Sequence, residues 1–163
     1  MKRKDLVIER TFNAPIEEVW AAFTTSEILA RWWSPEGMTN CCATCDVREG
    51  GEFRYCFKSP DGKEYWGKGV YQTITVPTYL SYLDNFTDEY GTPVAPSHYG
   101  IPGTELTSSF IEFRFTRVGA KTHLKMTGEN PYDDSLTENM TTGWNSMFDK
   151  LVTNFQNSIR PID

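Results

Sequence analysis

The sequence predicts an α+β fold in which a curved antiparallel sheet packs on a long C-terminal helix. Residues 52–58 and 109–118 alternate apolar and polar side chains, which is the period of a half-buried strand. Residues 135–159 instead carry apolar side chains three and four positions apart, which is the period of an amphipathic helix. Because the strand-like segments follow one another and are not interleaved with helices, an antiparallel sheet is favoured over a parallel one.

The first elements are a strand and two short helices. Residues 6–12 ("LVIERTF") predict a strand at the edge of the sheet. In the helix that follows, Pro15 suits the first turn. The apolar stripe of that helix consists of Ile16, Val19, Trp20 and Phe23. A second helix, "EILARWW", ends at Ser34-Pro35 because proline disfavours the helical conformation in the residue before it.

About six strands are expected between these helices and the C-terminal helix. The clearest are 52–58, 65–74, 79–86, 109–118 and 122–128. Asp61-Gly62 marks the tip of a hairpin turn in "SPDGKE". Residues 87–108 are rich in Gly and Pro and show no period, and a connection of that length is typical of a functional or disordered loop.

The C-terminal helix has a start signal and a continuous apolar stripe. Ser135 and Glu138 have the spacing of a capping box, and Pro161 lies beyond the helix end. The stripe consists of Leu136, Met140, Trp144, Met147, Phe148, Leu151, Val152, Phe155 and Ile159. Gly143 interrupts the helix at a cost of about 1 kcal/mol relative to alanine, so we expect another group to approach the backbone there.

Length and composition indicate one globular domain over residues 1–163. Aromatic residues make up 14% of the chain, and such side chains form the walls of apolar cavities as well as cores. The net charge of −6, without a cluster of Lys and Arg, argues against nucleic acid and membranes as partners. Without a signal core or an apolar run long enough to span a bilayer, the protein is expected to be cytoplasmic. We also expect a monomer or homodimer that carries no cofactor.

The four cysteines lie close together in the sequence, as Cys41, Cys42, Cys45 and Cys56. Cys42 and Cys45 form a C-x-x-C, which is compatible with redox chemistry or zinc binding. The segment after them leads into a turn at Gly50-Gly51 instead of a helix, and residues three apart on a strand face opposite sides. We therefore expect structural thiols in a reducing compartment and no metal site.

Several segments together resemble the SRPBCC superfamily. They are "RTFNAPIEEVWAAFTTSEILARWWSPEG", "REGGEFRY", "GKGVYQTI" and "GWNSMFDKL", and they are most similar to the branch related to the C-terminal domain of the activator of the heat-shock protein 90 ATPase. The resemblance implies the helix-grip fold of START domains and the birch-pollen allergen, with seven strands, the first over 4–12, and an apolar cavity beneath the C-terminal helix. Glu27 departs from the proline common in the family, which affects only the cap of the second helix.

The candidate site residues are aromatic side chains expected to face this cavity, together with one histidine from the long loop. They are Trp33, Phe53, Tyr55, Trp66, Tyr71, Phe86, His98, Tyr99, Phe113, Trp144 and Phe148. Of the adjacent pair Trp32 and Trp33, one is expected to pack against the sheet edge and Trp33 to face the cavity mouth. No catalytic motif such as G-x-S-x-G or H-E-x-x-H is present, so no catalytic residue is assigned.

Three functions are compatible with these patterns. The first is a cytosolic binding protein for a small hydrophobic or aromatic ligand. The second, implied by the resemblance, is a co-chaperone-like module that contacts a heat-shock protein 90-type ATPase. The third is a cyclase- or hydrolase-type enzyme acting in the cavity, with His98 and Tyr99 as its candidate polar groups.

Overall fold

The computed structural model describes residues 5–101, 105–106, 108–129 and 137–157, and these form one curved sheet that grips a long helix. The strands are β1 (Leu6–Phe12), β2 (Thr39–Cys45), β3 (Glu52–Lys58), β4 (Glu64–Thr75), β5 (Tyr79–Thr87), β6 (Ser109–Val118) and β7 (Lys121–Gly128). The helices are α1 (Ile16–Thr24), α2 (Ser26–Trp32) and α3 (Thr137–Asn157), with a 3₁₀ turn at Pro96–Tyr99. The seven strands are antiparallel in the order β1-β7-β6-β5-β4-β3-β2.

This architecture confirms the predicted α+β class and the helix-grip arrangement. β3 and β6 have the predicted bounds, β5 and β7 differ from prediction by one residue at one end, and β4 is longer by one residue at each end. The predicted helix cap at Ser135, with the stripe residues Leu136 and Ile159, lies outside the described residues. Within the described part of the chain, no helix is both long enough and apolar enough to cross a membrane.

The concave face of the sheet forms the core against α3. In β6 the buried side chains are Ile111, Phe113 and Phe115, in the alternation that the sequence predicts. Phe148 and Leu151 of α3 are fully buried against this face. Each such side chain stabilises the fold by about 1.5–3 kcal/mol relative to its exposed state, so the sheet and helix hold each other in place.

Trp32 and Trp33 diverge because α2 ends between them. Trp32 is the last helical residue and is fully buried, and its Nε1–H donates to the Ala22 carbonyl at 2.9 Å, which ties α2 to α1. Trp33 leaves the helix with φ −83° and ψ 71°, so its side chain turns toward the sheet and α3. Trp32 thus anchors the helical layer instead of the sheet edge, which was the position expected of one of the two tryptophans, whereas Trp33 lies at the cavity wall.

A β-bulge brings two cysteines together on the outer face of the sheet. Cys42 pairs with Cys56 across β2 and β3, and the register shift between Asn40 and Cys42 makes Cys41 the extra residue. Cys41 and Cys56 form a disulfide with a Cα–Cα distance of 5.3 Å. The expectation of structural thiols is therefore wrong for this pair, because the bulge places Cys41 beside Cys56, where the two sulfurs bond.

The two cysteines of the C-x-x-C are free thiols and do not bond to each other. Cys45 lies against the junction of α1 and α2, where its Sγ–H donates to the Thr24 carbonyl at 3.3 Å and its N–H donates to Ser26 Oγ at 3.0 Å. These contacts join β2 to the helical layer. Cys45 therefore has a structural role, as the sequence predicts.

Candidate functional site: an apolar cavity beneath the C-terminal helix

A cavity of about 350 Å³ lies between the N-terminal half of α3 and the concave face of the sheet. The helix contributes Asn139, Met140, Gly143, Trp144 and Met147. The sheet contributes Leu6, Tyr55, Phe57, Asp84, Phe86, Ser109, Ile111, Met126 and Gly128. Trp33, Pro35, Ile101 and Glu129 complete the wall. The lining is mostly apolar, with a few polar groups, which is the usual composition of a small-molecule site.

Gly143 faces this cavity from α3. A Cβ atom placed on Gly143 would meet no heavy atom within 4 Å beyond its own helix backbone and neighbours. The expectation that another group approaches the backbone at Gly143 is therefore wrong, because the space beside it is empty. Glycine destabilises the helix relative to alanine at this position, but any larger side chain there would project into the cavity.

Trp33 forms a rigid partition between the cavity and the core. Its side chain is 4% exposed and meets the rings of Phe53 and Trp144 edge to face, with centroid distances of 4.8 and 5.3 Å. Its Nε1 is buried without an oxygen or nitrogen partner among the described residues. Packing of its ring on both sides therefore fixes the position of this wall.

Lys150 of α3 holds the segment that carries Trp33 and the cavity rim. Its ammonium group donates to Ser34 Oγ at 2.8 Å and to the carbonyls of Pro35 and Met38 at 3.2 Å each. Burial lowers the pKa of Lys150, and Glu36 partly opposes that effect. These bonds close the turn after α2 onto α3, so Pro35 lies at the cavity wall.

Asp84 places a carboxyl group in the otherwise apolar wall. It is half-buried on β5, and both of its oxygens accept from the Tyr55 hydroxyl, at 2.9 and 3.1 Å. Burial raises the pKa of Asp84 to about 7, and the hydrogen bonds from Tyr55 and the Asn85 backbone N–H oppose the shift. Asp84 makes no salt bridge within the described residues.

Two glycines of β4 make room for the aromatic side chains beside Asp84. Gly67 lies across from Tyr55 in the β3–β4 ladder, and a Cβ on Gly67 would overlap the tyrosine ring. Gly69 lies across from Asp84 in the β4–β5 ladder, and a Cβ there would come within 2.7 Å of the Tyr82 ring. The "WGKG" segment therefore lets the tyrosines lie flat across β4, with the Tyr55 hydroxyl at Asp84.

The eleven candidate side chains fall into three groups. Trp33, Tyr55, Phe86 and Trp144 line the cavity. Phe53, Tyr71, Phe113 and Phe148 are buried in the core next to it and do not reach its surface. Trp66, His98 and Tyr99 lie at a shallow outer groove beside Glu64, Asp88, Glu89 and Tyr90. Contact with a ligand stays a prediction for every member of the first group.

Tyr99 has a structural contact that explains its burial. Its hydroxyl accepts from the Trp66 N–H at 3.2 Å and donates to the Thr87 carbonyl, and its ring lies 5.8 Å from that of Phe86. Tyr99 thus ties the long loop to the ends of β4 and β5, behind the cavity wall. His98 is exposed, and Trp66 donates its Nε1–H to Glu64 at 3.2 Å, so the structure does not bring either of them to the cavity.

Sequence reasoning missed Asp84, although its signal was present. Asp84 is two positions from both Tyr82 and Phe86 in "YLSYLDNF", so the alternation that places those rings inward also places the carboxyl group inward. It also missed the methionines Met126, Met140 and Met147 as lining residues. Their apolar spacing was seen, but it does not separate a packed side chain from one that faces a void.

A group of possible metal ligands lies on the outer face of the sheet. The sulfurs of Cys41 and Cys56 and a carboxylate oxygen of Glu64 lie within 4.8 Å of one another. Because the two sulfurs share a disulfide, they provide no thiolate ligand in this state.

The fold and the cavity define the class of protein. A seven-stranded antiparallel sheet that grips a C-terminal helix, with two short helices after the first strand, is the helix-grip fold of the SRPBCC superfamily. Within that superfamily, the family described as "Activator of Hsp90 ATPase homolog 1-like protein" matches residues 13–156, and the chain belongs to this family. No curated protein matches the sequence.

Solved structures share this fold at low sequence identity. A Mycobacterium smegmatis protein is 23% identical with a TM-score of 0.75, covering 98% of this chain and 92% of that one. A protein of Arthrobacter aurescens is 21% identical with a TM-score of 0.79, covering 98% and 90%. The AHSA1 protein of Silicibacter pomeroyi is 20% identical with a TM-score of 0.75, covering 94% and 99%. At these identities the likeness concerns the fold alone.

Proposed function

We propose that this protein binds a small hydrophobic or aromatic molecule in the cavity between α3 and the sheet. The observation that carries the proposal is the space itself, since a core that needed only stability would be filled at this position. Its volume of about 350 Å³ is within the range of known ligand sites, about 300–1,000 Å³. The tryptophan, tyrosine, phenylalanine and methionine side chains of the wall suit a flat apolar guest.

The size of the cavity limits the guest. An engineered cavity of about 150 Å³ holds one benzene molecule, so this cavity has room for a compound of about two fused rings with a short substituent. We therefore choose 2-naphthylmethanol as a neutral probe. Calorimetric titration of the full chain measures its affinity, and native mass spectrometry measures its stoichiometry and detects any compound retained from purification.

Gly143 offers a matched pair of variants for this test. In a helix, a leucine side chain leans toward the preceding turn, so Gly143→Leu projects toward Met140 and fills part of the cavity. Gly143→Ala adds one methyl group and serves as the control. We expect the wild type and Gly143→Ala to bind the probe and Gly143→Leu to lose at least about tenfold in affinity. Equal affinity in all three proteins would place the probe outside the cavity.

A second candidate function follows from the description of the family. The chain belongs to a family described by an activator of the Hsp90 ATPase, and this favours a co-chaperone-like interaction with an ATPase of that type. The test is the steady-state ATPase rate of purified heat-shock protein 90 with and without this protein. Stimulation would support the interaction, and an unchanged rate with no complex on a sizing column would remove it.

Catalysis has no support from the positions of His98 and Tyr99. His98 and Tyr99, the polar groups considered for an enzyme, lie behind or outside the cavity wall. A cyclase or hydrolase reaction would have to use Asp84 and Tyr55 instead. Because His98 and Tyr99 do not reach the cavity, binding without turnover is the function that we propose.

A cytoplasmic location is part of this proposal. The Cys41–Cys56 disulfide argues against it, because disulfides are rare in reducing compartments. Alkylation of intact cells before lysis, followed by mass spectrometry of the cysteine peptides, measures whether the disulfide exists there.

A further inference from the structure

Asp84 is the feature of the cavity that an apolar ligand alone does not explain. Its carboxyl group is half-buried in a wall made mostly of apolar side chains. A buried carboxylate is costly unless a cation or several hydrogen bonds compensate it. Here the compensation is incomplete, since the donors to Asp84 among the described residues are the Tyr55 hydroxyl and the Asn85 backbone N–H, and neither is charged.

No cation of the described lining residues balances Asp84. The charged side chains of that lining are Asp84 and Glu129, and both are acids. Glu129 already accepts a hydrogen bond from the Phe110 N–H at 2.7 Å. The nearby lysine of α3, Lys150, donates to Ser34 and two carbonyls at the rim and is not part of the wall.

We propose that the cavity selects a protonated amine attached to an apolar skeleton, with the ammonium group on Asp84 and the skeleton between the aromatic walls. The inference rests on the proposed function and names the ligand class of the same site. A carboxylate has room for about four hydrogen bonds, so Asp84 can keep the Tyr55 bond and accept from an ammonium group. Aromatic faces of the wall attract the same cation.

The same arrangement discriminates against anionic amphiphiles such as fatty acids. A ligand carboxylate would face the like charge of Asp84 and would find no cation among the described lining residues. A neutral alcohol is tolerated, because it can donate one hydrogen bond to Asp84 without charge. The expected order of affinity is therefore amine, then alcohol, then carboxylate.

Binding of the amine is expected to depend on the protonation of Asp84. Among the described residues, the groups beside Asp84 are the Tyr55 hydroxyl from β3, Tyr82 on its own strand, Gly69 across β4 and Ser109 across β6, and none of them is charged. The other charged group of the described lining is Glu129, after β7. Because burial raises the pKa of Asp84 to about 7, the carboxylate form that attracts the amine is lost as the pH falls. The affinity for an amine should decrease about tenfold between about pH 8 and about pH 6.

Three ligands with one skeleton test the proposal on the full chain: 2-naphthylmethylamine, 2-naphthylmethanol and 2-naphthoic acid. Calorimetry at about pH 8 measures each affinity for the wild type, for Asp84→Asn, and for Glu89→Gln, which removes one negative charge from the outer groove. We expect the amine to bind the wild type at least about tenfold more tightly than the alcohol, and Asp84→Asn to remove that preference. Glu89→Gln should keep it.

The outcomes separate this inference from the proposed function. If the alcohol binds and the amine binds no better, or if naphthoic acid binds as well as the amine, the amine preference is refuted while the cavity remains a binding site. If none of the three probes binds the wild type, the proposed function fails as well. The pH profile of the amine for the wild type needs no variant, and a flat profile would also refute the role of Asp84.

Discussion

Replacement of Asp84 by asparagine should stabilise the protein at neutral and alkaline pH. Burial raises the pKa of this carboxyl group from its ordinary value of 3.8 to about 7, so the folded state holds a proton that the unfolded state has released. Stability from Asp84 is therefore complete below about pH 4, falls between about pH 4 and 7, and stays low above that range. Three pKa units correspond to about 4 kcal/mol, and partial exposure reduces this to about 1–3 kcal/mol.

The assay is urea unfolding of the wild type and Asp84→Asn at a series of pH values. Asparagine keeps the shape and still accepts from Tyr55, so the variant should be more stable by about 1–3 kcal/mol near pH 8 and similar to the wild type near pH 4. Asp5→Asn, which changes an exposed carboxylate, provides the control. A loss of stability in Asp84→Asn at pH 8, or a difference between the two proteins that does not change with pH, would refute the reasoning.

Further predictions concern the helix glycine, the disulfide and the sheet glycine. Gly143→Ala should raise the free energy of unfolding by about 1 kcal/mol, which is a rise in Tm of about 2–4 °C. A decrease in Tm would show that the added methyl group collides with a neighbour. Joint replacement of Cys41 and Cys56 by serine should cost about 3 kcal/mol in urea unfolding, from the 15-residue separation that the disulfide closes, and an unchanged midpoint would count against the bond. Gly67→Ala should cost at least about 1–3 kcal/mol, because its Cβ would overlap the Tyr55 ring, and wild-type stability would contradict this packing.

Period and spacing were sufficient to predict the helices and every strand except β2, for which they gave no bounds. β3 and β6 alternate so regularly that their bounds follow from the residues alone. The same parity excludes Trp66 from the cavity, since its neighbours Tyr65 and Gly67 occupy the concave side of β4, and the candidate set included it against that pattern. The same parity argument, applied to β5, would have added Asp84 to the candidate residues.

The disulfide and the cavity could not be predicted from apolar periodicity and residue spacing. The disulfide depends on a bulge that adds Cys41 to one strand, and no spacing in the sequence fixes where a bulge falls. The cavity depends on how far α3 lies from the sheet. Phe148 and Trp144 belong to one helical stripe, yet Phe148 is buried in the core and Trp144 lines open space.

Methionine-methyl NMR tests the central claim most directly, because the chain carries its own reporters and controls. Of the five methionines, Met126, Met140 and Met147 line the cavity, whereas Met38 lies on the turn held by Lys150 and is not part of the wall. Titration of ¹³C-methyl-methionine protein with 2-naphthylmethanol should shift the three cavity methyl signals and give contacts from them to the naphthyl protons, while Met38 stays unchanged. Unperturbed signals from all three, or a shift confined to Met38, would contradict a ligand site between the helix and the sheet.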